Sequence, residues 1–224
     1  MDEKIKIIKL SFVNAFLVKA GDGFILIDTG LPDQFAKLEE ELKAAGCLPD
    51  KLKLVIITHG DYDHIGNCAK LQQKYNVKIA ICEADSFMTE KLVMLKRKVR
   101  KLVIMLFLFI EGIKRFFRRQ PLAFDKFKPD IFLTDGQDLR QYGLDAKIIH
   151  TPGHTKGSVC ILTADGDLFA GDTLVNMMKP AIALFIENSD ELKSSLTKLK
   201  KMQIKTIYPG HGEPFPRGDI FNIR

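Results

Sequence analysis

The 224 residues carry a formal charge of +6, with 46% apolar and 28% charged residues, the balance of an ordinary soluble globular chain rather than a fibrous, disordered or membrane-spanning one. That length fits one domain, or one domain with an insertion, and is enough to bury a sizeable core. Cys47, Cys68, Cys82 and Cys160 are widely spaced and form no Cys-x-x-Cys pair, so they are expected as reduced, mostly buried thiols of a cytosolic protein. No long apolar run follows a basic start behind Met1-Asp2-Glu3-Lys4, so no secretory signal is expected.

In chain order, apolar runs at 5–10, 14–18 and 24–27 read as the opening strands of an antiparallel meander, with Gly21-Asp22-Gly23 as a turn. Pro32 starts a helix on which Phe35, Leu38, Leu42 and Ala45 keep a helical period, and Gly46 ends it. Leu54-Val55-Ile56-Ile57 is an unbroken apolar run, the pattern of a strand buried on both faces. A helix over 65–75 and a strand over 78–82 follow. Beyond an insertion come strands at 131–133, 147–149, 158–163 and 167–170. A helix over about 190–201 then has Asn188 as its N-cap and Glu191 three residues on, and a last strand lies at 206–208. Two strand-plus-helix halves in this order predict an α/β (α+β) fold, a four-layer αββα sandwich, as one domain over 1–224.

The chemistry-bearing residues sit at strand ends or in turns. They are His59-Gly60-Asp61-Tyr62-Asp63-His64, His154 in Thr151-Pro152-Gly153-His154-Thr155, Asp172 in Gly171-Asp172-Thr173, and His211 in Pro209-Gly210-His211-Gly212. Only five histidines occur, and four of them fall in these pieces. Turns at one sheet edge can aim several donors at one point without disturbing the core. Imidazoles and carboxylates gathered in this way are a metal-ligand set.

These pieces resemble the first and later motifs of the metallo-β-lactamase superfamily, whose opening motif is usually His-x-His-x-Asp-His. The phrase His150-Thr151-Pro152-Gly153-His154-Thr155 is similar to that of its hydroxyacylglutathione hydrolase and lactonase branch. The resemblance covers roughly residues 5 to 216. It implies two divalent ions, Zn, Mn or Fe. The first would be held by His59, Asp61 and His154, the second by Asp63, His64 and His211, with Asp172 bridging both. It further implies hydrolysis of an ester, thioester or lactone in a small-molecule substrate by metal-bound hydroxide, with Asp63 orienting the nucleophile or passing its proton. Phosphodiester cleavage, diiron redox chemistry and a non-catalytic binding module with an impaired site stay open beside it. Asp61 stands where the family has its second histidine. A carboxylate there adds negative charge and a harder oxygen, which suits Mn²⁺ and Fe and makes bound water less acidic. His150 is not at a ligand position and is expected in a structural or supporting hydrogen bond, and Tyr62 is placed to reach a substrate carbonyl or to pack.

Residues 86–128 hold twelve Lys and Arg against Glu90, Glu111 and Asp125, a local +9 that leaves −3 for the rest. Leu92, Leu95, Val99, Leu102, Leu106, Phe109, Ile113 and Phe116 recur at alternating intervals of three and four, which predicts a basic amphipathic helical insertion, broken near Gly112. Its apolar run of about nine residues is too short to span a bilayer. A hairpin packed on its own domain, a lid or wall for an acyl or lipid-like substrate, a homodimer contact through 86–120, and a peripheral membrane contact all fit this pattern. Nucleic acid is disfavoured, because aliphatics rather than stacking aromatics stand among the basic residues.

Overall fold

The run Leu54-Val55-Ile56-Ile57 is buried throughout, and its alternate residues face opposite ways. Leu54 and Ile56 join one core cluster and Val55 and Ile57 another, so the strand has protein on both sides. The computed structural model describes residues 4–90, 98–99 (backbone) and 125–223.

The strands of the first sheet are β1 (Ile5–Leu10), β2 (Val13–Ala20), β3 (Gly23–Ile27), β4 (Leu52–Ile56), β5 (Ile79–Cys82) and β7 (Ile131–Leu133), hydrogen-bonded in that order. The first three are antiparallel and the rest parallel. The second sheet has the order β15 (Phe215–Pro216), β14 (Thr206–Pro209), β10 (Asp167–Gly171), β9 (Val159–Thr163), β8 (Ala146–His150). In it β10 and β14 run parallel while β9 opposes β8 and β10, so β8, β10 and β14 all end at the same edge.

Between the sheets lie Phe16, Val18, Ile25, Ile27, Leu54 and Ile56 from one side and Ile148, Val159, Ile161 and Phe169 from the other. The rings of Phe16 and Phe169 are 5.2 Å apart and tilted, a geometry worth about 0.5–1.5 kcal/mol beyond the area it buries. Helices α1 (Phe35–Ala44) and α3 (Cys68–Tyr75) cover the outer face of the first sheet through Leu38, Leu42, Leu71 and Tyr75. Helix α4 (Ser189–Lys200) covers the second through Leu196 and Leu199. These are the four layers expected from the sequence.

Local signals explain most boundaries. Pro32 opens a short 3-10 turn ahead of α1, and Gly46 takes φ +75° beyond its end. Asn188 caps α4, its side chain accepting from the N–H groups of Asp190 and Glu191. One expected helix is broken. Residues 65–75 read as one helix, but α2 (Tyr62–Ile65) and α3 are separate. The Gly66 N–H donates to Gly30 O at 3.1 Å, and the Asn67 side-chain amide donates to Thr29 O and Leu31 O. This binding to the loop after β3 outcompetes the helical path. A Cβ at Gly66 would lie 2.5 Å from Gly30 O, so only glycine lets the loop approach.

The sequence reading did not anticipate the hairpin β11 (Leu174–Val175) with β12 (Ala181–Ile182), the strand β13 (Phe185–Ile186), or β15. Most of the insertion expected to be helical lies outside the described residues. Where it is described it is not an α-helix: residues 86–89 belong to a 3-10 turn, Glu83–Thr89, and β6 (Lys98–Val99) pairs antiparallel with β13. Pairing with β13 overrides helical period at those two residues. No helix among the described residues is long and apolar enough to cross a membrane.

Candidate metal centre

The donor residues leave the C-terminal ends of parallel-running strands. His59 and Asp61 follow β4, His154 lies in the loop after β8, Asp172 follows β10 and His211 follows β14. Asp63 and His64 stand on the single turn α2. All seven residues expected from the sequence meet at this edge.

Two groups of donor atoms are each close enough to hold one ion: His59, His154 and Asp172, and Asp63, His64 and His211. Asp172 spans them. Its Oδ2 is 3.8 Å from His154 Nε2 and 3.2 Å from His211 Nε2, and its Oδ1 is 3.4 Å from His64 Nε2. Asp61 belongs beside the first group: its Oδ2 lies 3.1 Å from His154 Nε2 and 3.5 Å from His59 Nε2. His211 Nε2 is 3.6 Å from Asp63 Oδ2. Among the described residues, the buried His59 Nε2, His64 Nε2 and Asp172 Oδ1 have no hydrogen-bond partner. Unpartnered polar atoms in a buried site are costly, and one cation at each donor group would satisfy all three, so the residues fit a metal pair.

Each imidazole is aimed by a bond on its other nitrogen. His64 Nδ1 is 2.9 Å from Asp28 Oδ2. His59 Nδ1 is 3.0 Å from Thr58 Oγ1, which donates to the same Asp28 carboxyl at 2.8 Å. His154 Nδ1 meets Phe185 O at 2.6 Å, and His211 Nδ1 meets Phe12 O at 2.7 Å. Such bonds set the tautomer and turn the Nε2 lone pair inward. Two glycines make room: a Cβ at Gly210 would lie 2.5 Å from Asp172 Oδ1, and one at Gly171 would lie 2.6 Å from Thr58 Oγ1.

The electrostatics favour cations. Burial pushes the His59 imidazole below its usual pKa. Burial works the same way on His64, yet the carboxylates of Asp28, Asp172 and Asp63 hold it well above its usual value. His211 is also raised against its burial, by Asp172 and Asp63. Burial opposes ionisation of Asp172, but charges on His211 and His64 hold it well below the ordinary carboxylate range. The carboxylates that raise His64 and His211 are negative charge that also attracts a metal ion, which binds those imidazoles once their protons leave.

His150 stands apart from the cluster. Its Nε2 lies 2.9 Å from Lys156 O and its N–H donates to Asp135 at 2.7 Å. Tyr62 is the first residue of α2 and is half-buried. Sequence reasoning missed Asp28 and Asp85, both buried carboxyls serving the ligand loops. For Asp28 a signal existed: an acidic residue at the end of a wholly apolar strand has to be held by partners.

Two back-to-back sheets with imidazoles and carboxylates gathered at one edge define a metal-site αββα protein. The chain belongs to the metallo-β-lactamase superfamily, whose family model matches residues 8–211. It is 28% identical over 210 residues to the Beta-lactamase-like protein 2 homolog of Drosophila melanogaster, covering 91% of this chain and 59% of that one, so it spans well under two thirds of that relative. It is 28% identical over 204 residues to a probable metallo-hydrolase, MJ0888, of Methanocaldococcus jannaschii, covering 89% and 87%. Among solved structures, TTHA1623 in a di-iron-bound form superposes with a TM-score of 0.68 at 24% identity, covering 92% and 90%, a likeness of fold.

Proposed function

We propose that the protein is a dinuclear metal-dependent hydrolase acting on an ester, thioester or lactone of a small-molecule substrate. The reading rests on one observation above others: Asp172 completes the first donor group and lies 3.2 Å from His211 Nε2 and 3.4 Å from His64 Nε2 of the second, while His59 Nε2, His64 Nε2 and Asp172 Oδ1 are buried without a hydrogen-bond partner among the described residues. A pair of divalent ions there supplies an activated water and polarises the carbonyl. The residues do the rest. His59, His154 and Asp61 form the first set of donors, His64, His211 and Asp63 the second, and Asp172 keeps the two at one spacing. Asp63, on a turn and 13% exposed, is the carboxylate placed to orient the attacking water and hand its proton to the leaving group. The oxygen of Asp61 supports Mn or Fe over Zn, and the di-iron form of TTHA1623 is in keeping with that choice. Met177 and Met178 follow the Asn176 backbone that holds His211 O, and Phe87 adjoins Met88, which packs against Gly60. All three are exposed, which supports an apolar acyl portion in the substrate.

Elemental analysis of protein purified without added metal tests the reading, together with a panel of nitrophenyl esters, thioesters, lactones and bis-nitrophenyl phosphate. Two equivalents of metal with carbonyl-substrate turnover are expected, and Asp172→Ala should lose most metal and all turnover. Metal-free wild-type protein, or full metal retention in Asp172→Ala, overturns it.

A further inference from the structure

His59 and His154, whose rings lie 4.6 Å apart, come from different sheets. Between their loops sits the carboxyl of Asp85, only 1% exposed. Its Oδ2 accepts from the Gly60 N–H at 2.9 Å and from Thr155 Oγ1 at 2.7 Å, and its Oδ1 accepts from the Gly157 N–H at 2.8 Å. Gly60 lies between His59 and Asp61, and Thr155 follows His154, so one carboxyl grips both sides of the first donor group. Ser158 Oγ fixes the Thr155 hydroxyl at 2.7 Å. A Cβ at Gly157 would lie 2.5 Å from the Asp85 carboxyl carbon, so the close approach needs a glycine there. The second donor group is aimed by other atoms, Asp28 on His64 and Phe12 O on His211.

We propose that Asp85 is a positioning residue that fixes the separation of His59 and His154, and so sets the affinity of the first donor group for its metal ion, leaving the second group untouched. This rests on the metal-centre reading above. Because Asp85 lies in the 3-10 turn Glu83–Thr89, the start of the 86–128 stretch is anchored to the same loops. The fold should survive loss of the carboxyl, since the Val159 N–H still joins Thr58 O at 2.8 Å and holds the sheets together one residue back.

Asp85→Asn is nearly the same size, but its amide turns a donor toward groups that are themselves donors. Stepwise Mn²⁺ and Zn²⁺ titration should resolve two affinities in wild type. In Asp85→Asn, the step that His154→Ala also weakens should fall by about 10–100-fold, the usual effect of losing a bond that orients a ligand, and the other should stay within about twofold. Thr155→Val removes one of the three bonds and should weaken the same step less. Leu38→Ala, in the core under α1, lowers stability without touching either loop and should move neither step. Equal weakening of both steps, or none, in Asp85→Asn overturns the proposal. If that variant does not fold, the same two outcomes in Thr155→Val decide it. Wild-type protein that binds no metal would instead sink the functional reading itself.

Discussion

The His64 imidazole and the Asp28 carboxyl meet at 2.9 Å, and both side chains are wholly buried. Asp28 holds φ +59°, a left-handed conformation that an aspartate or asparagine tolerates better than most residues, and from there it also receives the Thr58 backbone N–H at 2.9 Å. One carboxyl therefore orients His64 directly and His59 through Thr58. Asp28→Asn keeps the backbone conformation but removes the charge. Metal affinity should drop by about 10–100-fold in a chelator competition, with modest loss of thermal stability. Unchanged affinity would mean that His64 is held without Asp28.

Asp61→His should move selectivity toward Zn²⁺, since nitrogen replaces a harder oxygen 3.1 Å from His154 Nε2. Competition between Mn²⁺ and Zn²⁺ on both forms checks this. Identical selectivity would show that Asp61 does not touch the ion.

Gly210→Ala places a methyl 2.5 Å from Asp172 Oδ1 and 2.9 Å from His64 Cε1. Either those donors shift or the loop does, at a cost of about 1–3 kcal/mol. Metal content by elemental analysis should fall more than the melting temperature does, and a fully loaded variant would contradict the close approach.

All four thiols are free, and burial pushes Cys47 up to about 12, Cys160 up to about 11 and Cys68 up as well. Only half-buried Cys82 should react quickly with a disulfide reagent at pH 8, and the other three only after unfolding. An acid whose folded pKa is raised contributes stability below its unfolded value, about 8.5, that is lost as pH climbs toward the folded one. Urea midpoints should accordingly fall between pH 8 and pH 10, and a flat profile would speak against thiols buried this deeply.

The apolar stripe of residues 92–116 is a property of the sequence, and a lipid-like substrate, a second copy or a membrane surface against it is a proposal. Leu106→Glu with Phe109→Glu should leave metal content intact while changing oligomeric state, vesicle binding or activity on long-chain substrates. Two charges placed in a buried seam cost several kcal/mol. A double variant matching wild type in all three measurements would leave the stripe without those roles.

The layers, and the short turns in which the His and Asp residues cluster, were legible along the chain. Apolar runs such as Leu54-Val55-Ile56-Ile57 and the period of Phe35, Leu38 and Leu42 are local consequences of how a strand or helix buries its faces. The donor residues were legible because each stands in a short turn directly after such a run, where its neighbours in sequence are also its structural context. Tertiary structure alone decided what those turns meet. That Asp172 meets His154 of one donor group and His64 and His211 of the other depends on separate loops converging. Asp28 and Asp85 serve ligand loops 36 and 70 residues away in the chain, and the helix break at Gly66 answers to Gly30. Period and motif encode neighbours along the chain, whereas these bonds satisfy buried polar groups across the fold, and their partners exist only once both sheets have packed.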